Sequence, residues 1–142
     1  MVASVSAKLK KLSQTQPARL LDKSQPLERR AIVTKALIET WALENDLQRG
    51  ELYDQIAMAL AVGFTRSYLD FEFCDQVAND LHAIMTLADE ARPSLFWEVY
   101  NAFDEGEYDH GDGSAQDPVE RYTRPQIALV VEKYSARYPD MS

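Results

Sequence analysis

From Ile56 to Phe64 the chain carries nine consecutive residues with no polar side chain. The flanking pattern extends this run to a helix over about 51–64, with Ile56, Ala57, Met58, Ala59, Leu60, Ala61 and Val62 pointing in every direction. A surface helix keeps one side polar, whereas a helix apolar all round has to be enclosed by other elements. The nine residues are too few to cross a bilayer, which takes about 20. The run therefore predicts a central helix inside a multi-helix domain. With 142 residues the chain has the length of one domain, and a chain of this size buries about two-thirds of its unfolded surface.

The segments around the run carry one-sided stripes. Val5, Leu9 and Leu12 predict a short basic amphipathic helix over 4–13. Residues 13–26 are polar, contain two prolines and predict a linker. A helix is expected from Pro26 to Gly50, with Pro at its first position, Glu28 against the positive end, and Val33, Leu37 and Trp41 as its stripe, joined by Ala36, Leu43 and Leu47. The longest helix is expected over 67–90, with Leu69, Phe73, Val77, Leu81, Ile84 and Ala88 inward and Glu72, Asp75, Asn79, His82 and Thr86 outward. Pro93 opens another helix, with Phe96, Val99, Tyr100 and Phe103 inward, ending near Gly106. Asp117-Pro118-Val119-Glu120 and Thr123-Arg124-Pro125-Gln126 both read as helix starts, so a short turn over 118–122 precedes a last helix over 124–138. Its stripe is Ile127, Val130, Val131, Tyr134 and Tyr138. No two-residue period of any length occurs. The expected fold is all-α, an irregular bundle of five to six helices, with residues 1–25 as a basic arm and linker and 26–142 as a single helical domain.

Charge is distributed unevenly. The net charge of −8 divides into +6 over residues 1–35, −8 over 36–97, −8 over 98–120 and +2 over 121–142. The field of the middle of the chain repels nucleic acid phosphates and favours a basic partner surface, although an acidic surface also serves solubility alone. The basic arm is too sparse in bases for a nucleic-acid or membrane element, and is expected to dock on the chain's own acidic body. Met1 to Ser13 has no apolar stretch of the kind a secretory signal carries. The one cysteine, Cys74, excludes an internal disulfide and a Cys-rich zinc module, and points to the reducing cytoplasm.

Several chemistries are missing. Gly111-x-Gly113 has no strand before it and no Lys-Ser/Thr after it, so it is not a phosphate loop. There is no Gly-x-Ser-x-Gly nucleophile elbow. Asp75, Asn79 and His82 share a helix face at metal-ligand spacing, but Asn79 stands where a di-iron bundle has Glu, and no second Glu-x-x-His exists. A solvated polar face is the simpler reading, and no cofactor or metal is expected. Asp80 falls inside the apolar stripe, so it must be hydrogen-bonded to a backbone group or to an Arg, with Arg66 and Arg121 as candidates; a general acid is the functional alternative. The loop over 104–117 is rich in Asp, Glu and Gly, yet neither Asp104 nor Asp109 starts an EF-hand register. Three readings of it stand: a cation site outside the EF-hand pattern, a plain surface loop, and an acidic interface whose acids steer a partner while Tyr108 and Trp97 supply contact area. The candidate partner-binding residues are Trp97, Asp104, Glu105, Glu107, Tyr108, Asp109 and Asp112, with Glu72 and Asp75 from the preceding helix.

Two stretches carry a resemblance. They are Tyr68-Leu69-Asp70-Phe71-Glu72-Phe73-Cys74-Asp75, followed by Val77, Asn79, Asp80 and Leu81, and the run from Leu95 to Tyr108, closed by Asp117-Pro118 and Tyr122-Thr123. Together, over about residues 65–130, they resemble small acidic bacterial immunity proteins of contact-dependent-inhibition and other polymorphic toxin systems. The resemblance implies a cytoplasmic, non-enzymatic protein that binds and blocks one cognate toxin domain, and it assigns no role to any residue. It agrees with the charge distribution, because many such toxins are basic nucleases. The expectation is a protein partner, basic and of the toxin-domain kind, rather than nucleic acid or membrane. An enzyme or sensor with a cation site in 104–117, and a homo-oligomer joined through the apolar helix and exposed aromatics, are the alternatives.

Overall fold

The computed structural model describes residues 4–15, 31–108, 110–111 and 117–141. The fold is all-α. Among the described residues there are six α-helices: α1 (Val5–Thr15), α2 (Lys35–Asn45), α3 (Arg49–Thr65), α4 (Phe71–Leu87), α5 (Ser94–Asp104) and α6 (Arg124–Tyr134). A 3₁₀ turn, Glu105–Glu107, extends α5, and a π-helical turn, Val119–Thr123, leads into α6. No strand occurs among these residues, and no helix is long and apolar enough to cross a membrane.

Helix α3 is the apolar run. It packs against each of the other five helices, and from Leu52 to Phe64 only Gln55 is not buried. The basic helix α1 lies on α3 through buried Val5 and Leu9. Lys8 pairs with Glu44 at 2.6 Å and sits over the Trp41 ring, and Lys10 sits over Tyr68. An isolated helix of this length is marginal in water, so docking is what keeps α1 folded.

Three expectations about helix ends are corrected. The expected start at Pro26 lies outside the described residues, but residues 31–34 are not helical and α2 begins at Lys35, capped by the Thr34 hydroxyl on Leu37 N. The cause is tertiary. The Asp80 carboxylate, buried on α4, accepts the N–H groups of Ile32 at 2.7 Å and Val33 at 3.0 Å, and its other oxygen accepts from Gln76. Backbone donors held by a carboxylate 48 residues away are withheld from a helical ladder. The acid in the apolar stripe thus accepts from two backbone groups and from Gln76.

Gly50 does not stop α2. Asp46 does, in the left-handed region at φ 53, with Leu47 N bonded to Ala42 O, and Gly50 lies inside α3. As a result Leu43, expected in the stripe, is 84% exposed, Ala36 is also exposed, and Ile38 takes the buried place. The Thr123 capping box does not form either. Thr123 is helical and fully buried, and its hydroxyl donates to Ala102 O at 2.7 Å, joining the π-turn to α5. The helix expected over 67–90 is shorter, with Asp70 as N-cap and Ala88 as C-cap of α4; Leu69 just before it and Phe73, Val77 and Leu81 within it face inward as expected, but Ala88 is exposed and Met85 is buried instead.

Asp80→Ala should leave two backbone donors without an acceptor and cost about 3 kcal/mol. Asp80→Asn, which keeps an acceptor oxygen, should lose clearly less. Urea unfolding midpoints of the two variants check this; equal losses would remove the staple from the account.

Candidate functional site

The outer face of α4 and the end of α5 make one surface. Helical spacing puts Glu72, Asp75, Asn79, His82 and Thr86 in a row along α4. Helix α5 packs alongside and contributes Trp97, Tyr100 and Asp104, and the 3₁₀ turn adds Glu107. The His82 ring stacks on Tyr100 with centroids 4.5 Å apart and planes 12° apart, and Tyr100 stacks in turn on Trp97 at 5.6 Å. Trp97 remains 43% exposed. Arg92 closes the end of this stack, donating to Thr86 Oγ1 with Nη2 3.4 Å from His82 Nε2. Burial first, and then this guanidinium, lower the His82 pKa below its usual value, although Asp104 opposes them.

Beside the stack the acids are crowded. The Asp75 carboxyl lies in the field of Glu107, Asp104 and Glu72. Asn79 Nδ2 donates to Glu107 Oε2 at 3.0 Å and to the Asp75 carbonyl at 2.9 Å. Asp75 Oδ1 is sealed from solvent without a hydrogen-bond donor. Burial, then Glu107, then Asp104 and Glu72 push the Asp75 carboxyl up to about 9, so it holds a proton at neutral pH. Asp104 is raised by burial and by Glu107 and Glu105, and Tyr100 by burial and the same group of acids. No salt bridge to a Lys or Arg reaches Glu72, Asp75, Asp104 or Glu107 among the described residues. Elsewhere five of the described bases form salt bridges: Lys8 with Glu44, Arg49 with Glu39 and Glu90, Arg124 with Glu120, Lys133 with Glu98 and Arg137 with Asp54.

Tyr108 and His110, which follow this cluster, are held by ring contacts. Tyr108, His110 and Tyr122 form a second stack, with centroids 4.3 Å apart for the first pair and 3.9 Å for the second. His110 Nε2 donates to Glu105 O at 2.8 Å. Tyr108 is 51% exposed at the outer end. Gly106 permits the tight seat of the 3₁₀ turn: a Cβ there would collide with Thr123 Oγ1 and come within 2.8 Å of Phe71 Cε1.

Of the residues proposed from sequence, Glu72, Asp75, Trp97, Asp104 and Glu107 come together on this face, and Tyr108 follows directly on Glu107. Glu105 turns the other way, where Gln126 Nε2 donates to its carboxylate. Asp109 and Asp112 lie outside the described residues. Sequence reasoning did not place Asn79, His82, Tyr100, His110 and Tyr122 in the site. The spacing along α4 held the signal for Asn79 and His82, whereas the second stack joins rings across the turn before α6 and left none. Among the described residues no group of three or more His, Cys, Asp or Glu is arranged to hold a metal ion. No protein family, curated protein or solved structure matches the chain.

Two stability measurements follow. Asp75 in the folded chain keeps a proton that the unfolded chain gives up near pH 4, so its contribution makes stability fall as pH rises from about 4 towards 9. Asp75→Asn should remove that slope, gaining about 1 kcal/mol at pH 8 once the partial exposure of the site is allowed for, and nothing at pH 4. Thermal melts at the two pH values read the difference. Gly106→Ala should cost about 1–3 kcal/mol by forcing the turn away from Phe71 and Thr123, measured as a lowered urea midpoint.

Proposed function

We propose that the chain is a non-enzymatic binding protein whose acidic and aromatic face docks a basic protein partner. A cytoplasmic immunity protein that blocks a basic, nuclease-type toxin domain is the biological form that suits this chemistry. The observation that carries the proposal is the crowding of Glu72, Asp104 and Glu107 around Asp75, without a salt bridge among the described residues, beside the exposed rings of Trp97 and Tyr108. Like charges held together lower the stability of a free protein, and a cationic surface laid across them would relieve that repulsion. Exposed, rigid aromatic rings next to them are the side chains that most often anchor a protein interface. The homo-oligomer alternative loses its main motive, since the apolar helix spends its surface within the fold.

The two kinds of side chain should separate in kinetics. Acids act over distance and set the encounter rate, whereas aromatics act on contact and set the lifetime. Against a basic protein partner such as a cationic nuclease toxin domain, Glu72→Ser with Asp104→Ser should slow association severalfold at low salt, with the difference shrinking as salt rises. Trp97→Ala should leave association nearly unchanged and cost on the order of 2 kcal/mol, roughly a 30-fold faster dissociation. Surface-plasmon kinetics at two salt concentrations measure both. Parent-like rates in all variants would place the interface elsewhere.

A further inference from the structure

We propose that the seat of α1 is a trough for a basic amphipathic helix, which α1 fills in the free chain and yields to a helix of the same pattern from a protein partner. The trough has a floor and two lips. The floor is α3, on which Val5 and Leu9 are sealed, with Leu12 partly buried against the core beside them. One lip is α2: Glu44 Oε1 pairs with Lys8 Nζ at 2.6 Å, and the Trp41 ring centre lies 5.7 Å from the same ammonium. The other lip is Tyr68, just before α4, with Lys10 Nζ 5.3 Å from its ring centre.

This layout selects for stripe and charge together. Val5, Leu9 and Leu12 stand at i, i+4 and i+7, on one side of the helix. Lys8 and Lys10 are two residues apart, roughly 200° around the axis, so they leave on opposite sides of that stripe. Each ammonium meets an aromatic ring, and the Lys8 side chain is only 14% exposed, so its aliphatic stem adds to the covered surface. An apolar helix without flanking cations forgoes Glu44 and both rings, and a basic helix without the stripe leaves the floor wet.

Exchange is open to α1 because side chains alone hold it. Among the described residues no hydrogen bond joins its main chain to another helix, whereas Asp80 holds main-chain groups before α2, and Asp54 and Thr123 hold them at the two ends of α5. A stripe, one ion pair and two ring contacts are all a competing helix has to reproduce. The α1 of a second copy offers the same contacts without the tether, so it loses to the resident helix. A partner helix with additional bases gains further from the acidic body, so the occupant is foreign and more basic than α1. Trp41, Glu44 and Tyr68 do not belong to the acidic face of α4 and α5, so the trough stands or falls separately from the docking proposed there.

The test is a nuclear magnetic resonance titration of the ¹⁵N-labelled full chain with a synthetic peptide of residues 4–15, read at the Trp41 indole N–H and the Tyr68 amide. Parent, Lys8→Glu and Leu9→Asp are compared; both substitutions loosen the resident helix and leave the trough unchanged. The peptide is expected to bind both variants at least about tenfold more tightly than the parent, whose trough is already filled. A scrambled peptide of equal charge should not bind, and Glu44→Lys added to Leu9→Asp should weaken the peptide severalfold. The trough is overturned if millimolar peptide leaves both variants unmoved, if the parent binds it equally well, or if the scrambled peptide matches it. Unfolding of the whole chain by Leu9→Asp would make α1 part of the core and overturn it too. Sedimentation of the parent from micromolar to millimolar concentration should show a monomer; a dimer joined through α1 would assign the trough to a second copy and overturn the partner helix.

Discussion

Everything in this fold is arranged around a helix with no polar side. Because α3 buries Leu52 to Phe64 almost without a break, it needs neighbours in every direction, and the other five helices supply them. Packing of this kind is driven by removal of apolar surface from water, which has no directional preference. It can gather six helices, but it cannot decide where each one starts or how its end is tied.

That second task falls to three buried polar side chains, each bonded to the backbone of another segment. Asp54 on α3 accepts the Phe96 N–H at the start of α5 and pairs with Arg137. Asp80 on α4 gathers Ile32 and Val33. Thr123 donates to Ala102 O at the end of α5. Each satisfies a main-chain group that has no place in a helical ladder there, and a buried group of this kind is costly if left alone. The apolar helix gathers the bundle, and these staples set its joints.

The outer face follows the opposite logic. Acids that a stable surface would disperse are brought together where α4, α5 and the 3₁₀ turn meet, with aromatic stacks on either side. The local backbone departs from α-helix in the same region, with a 3₁₀ turn packed on a π-helical one. Irregular turns of this type recur at functional sites, because they orient side chains that a regular helix would turn away.

What the sequence by itself determined is what depends on neighbours within about one helical turn. The all-α class, the central place of the Ile56–Phe64 run, the inward row from Leu69 to Leu81 and the outward row of Glu72, Asp75, Asn79 and His82 are all periodic features, and periodicity is local. The tertiary structure alone decided the late start of α2, the diversion of Thr123 from its capping box, the turning of Glu105 towards Gln126 and the meeting of Asn79 with Glu107. Each of these is a pairing across the fold: Asp80 reaches Ile32 over 48 residues, Asn79 reaches Glu107 over 28, and Thr123 reaches Ala102 over 21. In an unfolded chain such partners meet only rarely, so a hydrogen bond between them exists once the apolar core has brought their helices side by side.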